Sequence, residues 1–116
     1  MNVKIAATYS FEAAHRLPNL PDGHKCKRLH GHNYRLDVVI EGPLDERGFV
    51  MDYAELDAVV QPLVDQLDHQ YLNDIAGLEN PTSEVMALWF RSRIVGVLDL
   101  TPTIRIWETP RYWVEV

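Results

Sequence analysis

The sequence predicts an α+β fold, a four-stranded antiparallel sheet with two helices on one face in the order ββααββ. Alternating apolar and polar residues at both ends of the chain predict the strands, and two stretches of helical period between them predict the helices. No internal repeat, low-complexity segment or linker separates these parts. At 116 residues the chain has the length of one domain, 1–116, so both helices are expected to cover one face of one sheet.

The first strand is read over residues 3–9, where Val3, Ile5, Ala7 and Tyr9 alternate with Lys4, Ala6 and Thr8. The second is read over residues 33–41, with Leu36, Val38 and Ile40 on one face and Arg35, Asp37 and Glu41 on the other. Between them runs a long connection with Pro18, Pro21 and Gly23, and connections of that length in small domains are usually functional. Gly42-Pro43 closes the second strand, and Gly48 marks a turn.

A helix is expected from Asp52, with Glu55 three residues on as in a capping box. Leu56, Val60, Leu63, Val64 and Leu67 form its buried stripe, and Pro62, lacking an N–H, is expected to kink or break it. A second helix follows Asn80-Pro81, capped by Thr82 or Ser83, with Val85, Met86, Trp89, Phe90, Ile94 and Val97 as its apolar stripe. Residues 103–107 and 111–116 alternate as two strands around Thr109-Pro110, with Ile104 and Ile106 matched to Tyr112, Val114 and Val116. The sheet's second face and its free edges are left open, with Trp107 and Trp113 on that face, so pairing with neighbouring subunits is expected.

Composition narrows the function. Hydrophobic residues make up 47% of the chain and charged residues 24%, and no apolar run approaches the roughly 18 residues that span a bilayer, so no membrane partner is expected. The N-terminal stretch reads as a strand rather than a signal peptide, from which a cytoplasmic location is expected. A net charge of −6 without a sustained basic stripe argues against nucleic acid as a partner. Lys25, Lys27 and Arg28 concentrate positive charge around the single cysteine, either to hold an anionic substrate group or as a solvated loop tip.

That cysteine opens the most informative stretch, Cys26-Lys27-Arg28-Leu29-His30-Gly31-His32. Residues two apart on an extended segment share a face, so His30 and His32 can aim at one cation, and imidazole suits Zn²⁺. Three protein ligands and an open position make a catalytic zinc, so a third ligand is needed. His15 is the first choice and His24 the competitor, and Cys26 with three histidines would instead make a closed structural site. A cation or imidazolium beside Cys26 would favour its thiolate.

Asp68-His69 closes the first helix, and a carboxylate next to an imidazole can fix its tautomer for proton transfer, although side chains one residue apart on a helix point about 100° apart; the bland alternative is a cation at a helix C-terminus. Glu108, at the end of the third strand, could accept two hydrogen bonds from a planar pair of N–H donors such as a pterin presents.

Taken together, Phe11-Glu12-Ala13-Ala14-His15, Cys26-x-x-x-His30-Gly31-His32-Asn33, Leu67-Asp68-His69, Leu72-Asn73, Asn80-Pro81-Thr82-Ser83-Glu84 and Glu108-Thr109 resemble the 6-pyruvoyltetrahydropterin synthase superfamily over essentially the whole chain. The three-residue gap between Cys26 and His30 resembles its carboxy-forming bacterial branch. The resemblance implies a tunnelling fold whose subunits join sheets into trimeric barrels, two of which stack into a homohexamer with active sites between subunits. It implies that His15, His30 and His32 hold zinc, that Cys26, Asp68 and His69 move protons, and that Glu108 anchors the pterin, with Thr82 and Ser83 lining its pocket. The implied reaction is conversion of 7,8-dihydroneopterin triphosphate to 6-carboxy-5,6,7,8-tetrahydropterin, acetaldehyde and triphosphate in queuosine precursor synthesis. Pro110 after Thr109 departs from the pattern. The alternatives are a pyruvoyl-forming synthase and a non-catalytic, zinc-stabilised binding module.

Overall fold

Two strands of 14 residues, Asn2–His15 (β1) and His30–Pro43 (β2), form a long antiparallel hairpin in the computed structural model, which describes all 116 residues. Both run well past the 3–9 and 33–41 read from sequence. The period of two persists to the hairpin tip: Tyr9, Phe11, Ala13 and His15 are buried, while Ser10 and Glu12 between them are exposed. Small alanines carry a weak apolar signal, which hides the extension from a sequence reading. The extra length places His15 directly opposite His30.

Two helices follow, Tyr53–Leu67 (α1) and Ser83–Val95 (α2), and then two strands, Thr103–Thr109 (β3) and Tyr112–Glu115 (β4). All neighbours in the sheet order β1-β2-β3-β4 are antiparallel. Asp52 caps α1 by accepting from Ala54 N–H at 2.8 Å, but Glu55 does not complete a capping box and instead lies near Arg47. Pro62 does not break the helix. It sits on the exposed side, where water can serve the Ala58 carbonyl that loses its partner.

Thr82 caps α2, its hydroxyl oxygen accepting from Val85 N–H at 3.1 Å. The helix stops at Val95, so Val97 lies beyond it and is exposed rather than part of the stripe. Tyr112 also departs from expectation. A register shift between Trp107 and Thr109 sets it opposite Thr109, where it is exposed, while Ile106 faces Val114 as expected.

Leu36, Val38 and Ile40 of β2, Ile104 and Ile106 of β3, and the buried faces of both helices form one apolar cluster on a single side of the sheet. The other side has no helix. There Asp37 accepts from Thr8 Oγ1 at 3.0 Å, Arg35 Nε at 2.9 Å and Trp107 Nε1 at 2.9 Å, and Trp107 stands 6.0 Å from Trp113. Burial opposes ionisation of Asp37, but these three donors outweigh it and hold the carboxyl below its ordinary range. From Asn2 to Ser10 the outer edge of β1 has no strand beside it, and β4 forms the opposite edge. No helix is long and apolar enough to cross a membrane.

Candidate metal centre and active site

The tip of the β1–β2 hairpin gathers three imidazoles. His15, His30 and His32 project from the helix-covered side, and their ligand nitrogens all lie within 4.8 Å of one another. His15 is fully buried and the other two are half-buried. Cys26 and His24 do not join them, so the closed Cys-His₃ alternative has no counterpart in this fold. His24 is occupied elsewhere, its Nδ1 accepting from Cys26 N–H at 3.0 Å.

Hydrogen bonding fixes what two of the rings offer. His15 Nδ1 lies 2.9 Å from the Pro81 carbonyl and His30 Nδ1 lies 2.7 Å from the Arg28 carbonyl. A carbonyl only accepts, so both Nδ1 atoms carry the proton and both neutral rings turn a bare Nε2 inward. Those two Nε2 atoms face each other at 2.9 Å. Two lone pairs at that distance repel unless a positive charge lies between them. His32 Nε2 is buried without a hydrogen-bond partner; Glu108 Oε1 approaches it to 2.9 Å, but off the line an N–H would take. Three inward nitrogens, one orphaned and two mutually repelling, with backbone carbonyls fixing two tautomers from behind, are a donor set that fits a divalent cation of zinc's preferences.

Electrostatics agree. Burial, then the neighbouring His30 and His32, push His15 below the ordinary histidine value against the Pro81 carbonyl and Glu108. Burial lowers His32 as well, against the pull of Glu108 and with the help of His30. Neutral imidazole is the ligand form, so both groups stay competent for metal below the ordinary value of about 6.5. The same depression makes the metal-free fold sensitive to acid. Between the lowered folded value and about 6.5 the unfolded chain binds protons the folded chain refuses, so this contribution is fully present above 6.5 and lost as pH falls through the folded values. Melting midpoints of chelator-treated protein are therefore expected to fall between about pH 7 and pH 5, and a metal-loaded sample, whose bound imidazoles exclude protons altogether, is expected to fall at least as steeply; a chelated midpoint that stays flat over this range would contradict this.

Glu108 stands beside the cluster, on β3. Its Oε2 accepts from Ser83 Oγ at 2.9 Å, which ties the strand end to the start of α2. Ser83 is thus placed with Glu108, whereas the oxygen of Thr82 is engaged in capping. Tyr34 packs beneath with its hydroxyl 3.3 Å from His15 Nδ1, and burial followed by Glu108 raises its pKa well above the ordinary tyrosine value.

Cys26 lies on a 3-10 turn, Lys25–Lys27, and its carbonyl accepts from Leu17 N–H at 3.0 Å, which seats the turn against the chain leaving β1. Of the basic residues around it, Lys27 is paired with Asp22, whereas Lys25 and Arg28 have no acidic partner.

Asp68 and His69 are placed apart from the three histidines, along the outer edge of β1. His69 Nδ1 is 2.9 Å from Asp68 Oδ1. The pair does not obey helix geometry, because Asp68 is the extended C-cap of α1 and His69 follows in the left-handed region at φ 59°. Glycine usually takes that position after a helix. A shallow cleft of about 600 Å³ at this edge is lined by Glu12, Gly31, His32, Asn33, His69 and Tyr71.

Sequence reasoning did not find the carbonyls of Pro81 and Arg28, the Ser83–Glu108 bond, or Glu12 beside the pair. Pro81-Thr82-Ser83 and Glu108 were visible as motifs, but their contact depends on how α2 docks on β3.

The fold defines a protein of the tunnelling-fold class, with three histidines placed so that they could hold a metal ion. Residues 4–116 match the family model described as 6-pyruvoyl tetrahydropterin synthase, and the chain belongs to that family of enzymes, as its motifs suggest. A 6-carboxy-5,6,7,8-tetrahydropterin synthase of Synechocystis is 48% identical over 78% of this chain and 73% of its own length. A dihydroneopterin monophosphate aldolase of Pyrococcus furiosus is 37% identical over 100% of this chain and 98% of its own. Among solved structures, the 6-pyruvoyl tetrahydropterin synthase of Caenorhabditis elegans superposes with a TM-score of 0.91 at 29% identity, over 100% of this chain and 95% of that one.

Proposed function

We propose that this chain converts 7,8-dihydroneopterin triphosphate to 6-carboxy-5,6,7,8-tetrahydropterin, releasing acetaldehyde and triphosphate, as a zinc-dependent step of queuosine precursor synthesis in the cytoplasm. The observation that carries the proposal is the convergence of three inward imidazole nitrogens beside Glu108 in a chain 48% identical to a synthase bearing that product's name.

His15, His30 and His32 would hold the zinc, which when bound supplies Lewis-acid polarisation of substrate side-chain oxygens. Every other task falls to the chain itself. Glu108, held by Ser83, accepts the paired N–H donors of the pterin ring and so orients the side chain toward the three histidines. Cys26 carries a proton as a thiol or thiolate. Asp68 holds His69 Nδ1–H, leaving Nε2 to exchange protons. Lys25 and Arg28, free of acidic partners, attract the triphosphate.

Residues 1–116 would work as one domain in a homohexamer of two trimers, a reading supported by the outward-facing Asp68–His69 pair on the β1 edge. In that assembly the edge of one subunit completes the histidine site of the next. The unpaired edges of β1 and β4 supply the backbone groups for such joining.

Product analysis tests this reading. Incubation with dihydroneopterin triphosphate is expected to release acetaldehyde and form the 6-carboxy pterin. A 6-pyruvoyl product alone would assign the pyruvoyl-forming reaction. Turnover confined to dihydroneopterin monophosphate would assign the chemistry named for the Pyrococcus furiosus relative.

A further inference from the structure

We propose that Glu12 is the positioning residue of His69, its carboxylate fixing the far side of the imidazole ring while Asp68 fixes the near side. The inference rests on the reading of Asp68–His69 as the proton-transfer pair.

Glu12 engages this pair three times. Its carbonyl accepts from His69 N–H at 2.6 Å, its own N–H donates to Asp68 Oδ1 at 3.0 Å, and its Oε2 lies 3.5 Å from His69 Nε2. Ala14 N–H donates to the Gln70 carbonyl at 3.0 Å and Ala14 bridges Tyr71, so the segment after α1 is laced to the outer edge of β1 on both sides of His69.

This lacing accounts for a conformation that otherwise costs energy. A histidine at φ 59° is uncommon, and such backbones persist where surrounding contacts over-determine them. Here the Glu12 carbonyl holds the amide of the strained residue itself. The Glu12 amide also holds the Asp68 carboxyl below its ordinary range, ahead of the contribution from His69. One residue of β1 thereby sets the backbone of His69, the charge of its partner and the surroundings of its second ring nitrogen.

An exposed ion pair alone is worth little, and at 3.5 Å the side-chain contact is loose. The assignment rests on its direction. Nδ1 is already committed to Asp68, so Nε2 is the nitrogen left to exchange a proton with substrate, and it points to the cleft wall formed by Glu12. A carboxylate there restricts ring rotation and offers an acceptor for Nε2–H until substrate takes its place.

Glu12→Gln tests this, because glutamine keeps the size of the side chain and all the backbone contacts while removing the charge. The expected result is a fall in kcat on the order of 10- to 100-fold with KM changed by less than about threefold and metal content unaltered. The His69 ring-proton signals in the NMR spectrum, assigned by their absence in His69→Asn, are expected to move and broaden in Glu12→Gln read without substrate. Glu12→Asp, which withdraws the carboxylate by one methylene, is expected to lower kcat in the same direction. Wild-type kcat with unmoved His69 signals in Glu12→Gln overturns the assignment. So does a loss carried by KM or by metal content, which would make Glu12 a substrate or structural residue. If the unmodified protein turns over no pterin phosphate, the proposed function fails. The NMR comparison then decides Glu12 by itself: moved signals support the positioning role, and unmoved signals overturn it.

Discussion

His32→Ala is expected to empty the metal site and abolish turnover while leaving the fold in place. The expectation follows from the unequal ways the three histidines are held. Removing His15 deletes a fully buried ring and strands the Pro81 carbonyl, so loss of activity in that variant mixes metal loss with damage to the core. His32 is half-buried and its Nε2 makes no hydrogen bond, so its removal orphans no partner and relieves crowding with His15 and His30. A two-histidine remnant cannot match three nitrogen ligands. Metal-ion catalysis supplies several kcal/mol of charge stabilisation, which at about 1.4 kcal/mol per decade amounts to a thousandfold or more in rate. The checks are zinc per chain by elemental analysis, product formation, and the melting midpoint without metal. Chelation of the unmodified protein is expected to mimic the variant, losing activity and retaining the fold. Unfolding on chelation would favour the binding-module alternative, in which zinc is structural.

The same residues show how far a sequence reading reaches. His30 and His32 were legible because a spacing of two on a strand fixes a shared face, whatever surrounds them. His15 was legible as a candidate, but its place depended on β1 and β2 pairing through to the tip, where His15 meets His30. Alternation through Glu12-Ala13-Ala14 was too faint to show that. The positions of Leu36, Val38 and Ile40, of both helices and of the Ile106–Val114 pair follow from periodicity, and the structure keeps them.

What escaped was tertiary. Asp68 and His69 were set about 100° apart by assuming a continuing helix, yet the helix ends at Leu67 and the left-handed turn at His69 brings Nδ1 to 2.9 Å from the carboxylate. No residue type announces that turn, since histidine stands where glycine is usual. The break that Pro62 could have made does not occur for a similar reason, because the cost of a missing N–H depends on whether water can reach the carbonyl it leaves behind.

Glu108→Gln is expected to cut kcat/KM for the pterin substrate by about 100-fold while zinc content stays at the unmodified level. Glutamate accepts at both oxygens, and one of them already takes the Ser83 hydroxyl while the other faces His32. A pterin edge offers two parallel N–H donors, which a carboxylate can meet at both atoms. Glutamine turns one acceptor into an NH₂ donor, so one N–H of the ring meets another donor and the charge assistance to its neighbour is lost. Hydrogen bonds to charged groups are worth about 1.5–3 kcal/mol each, and losing the equivalent of one such bond with a mismatch at the second gives a loss near 3 kcal/mol, or two decades. The sign on metal binding separates two roles for this carboxylate. As the substrate anchor, Glu108 leaves zinc content unchanged when neutralised and its loss appears in KM and kcat together. As a ligand in waiting for the cation beside His32, its neutralisation lowers zinc occupancy, and added zinc restores the rate. Ser83→Ala sharpens the distinction, because it removes the hydroxyl that holds Oε2 without touching any histidine: a smaller loss in the same direction as Glu108→Gln, with full zinc, is the outcome expected of an anchor held in place from the first turn of α2.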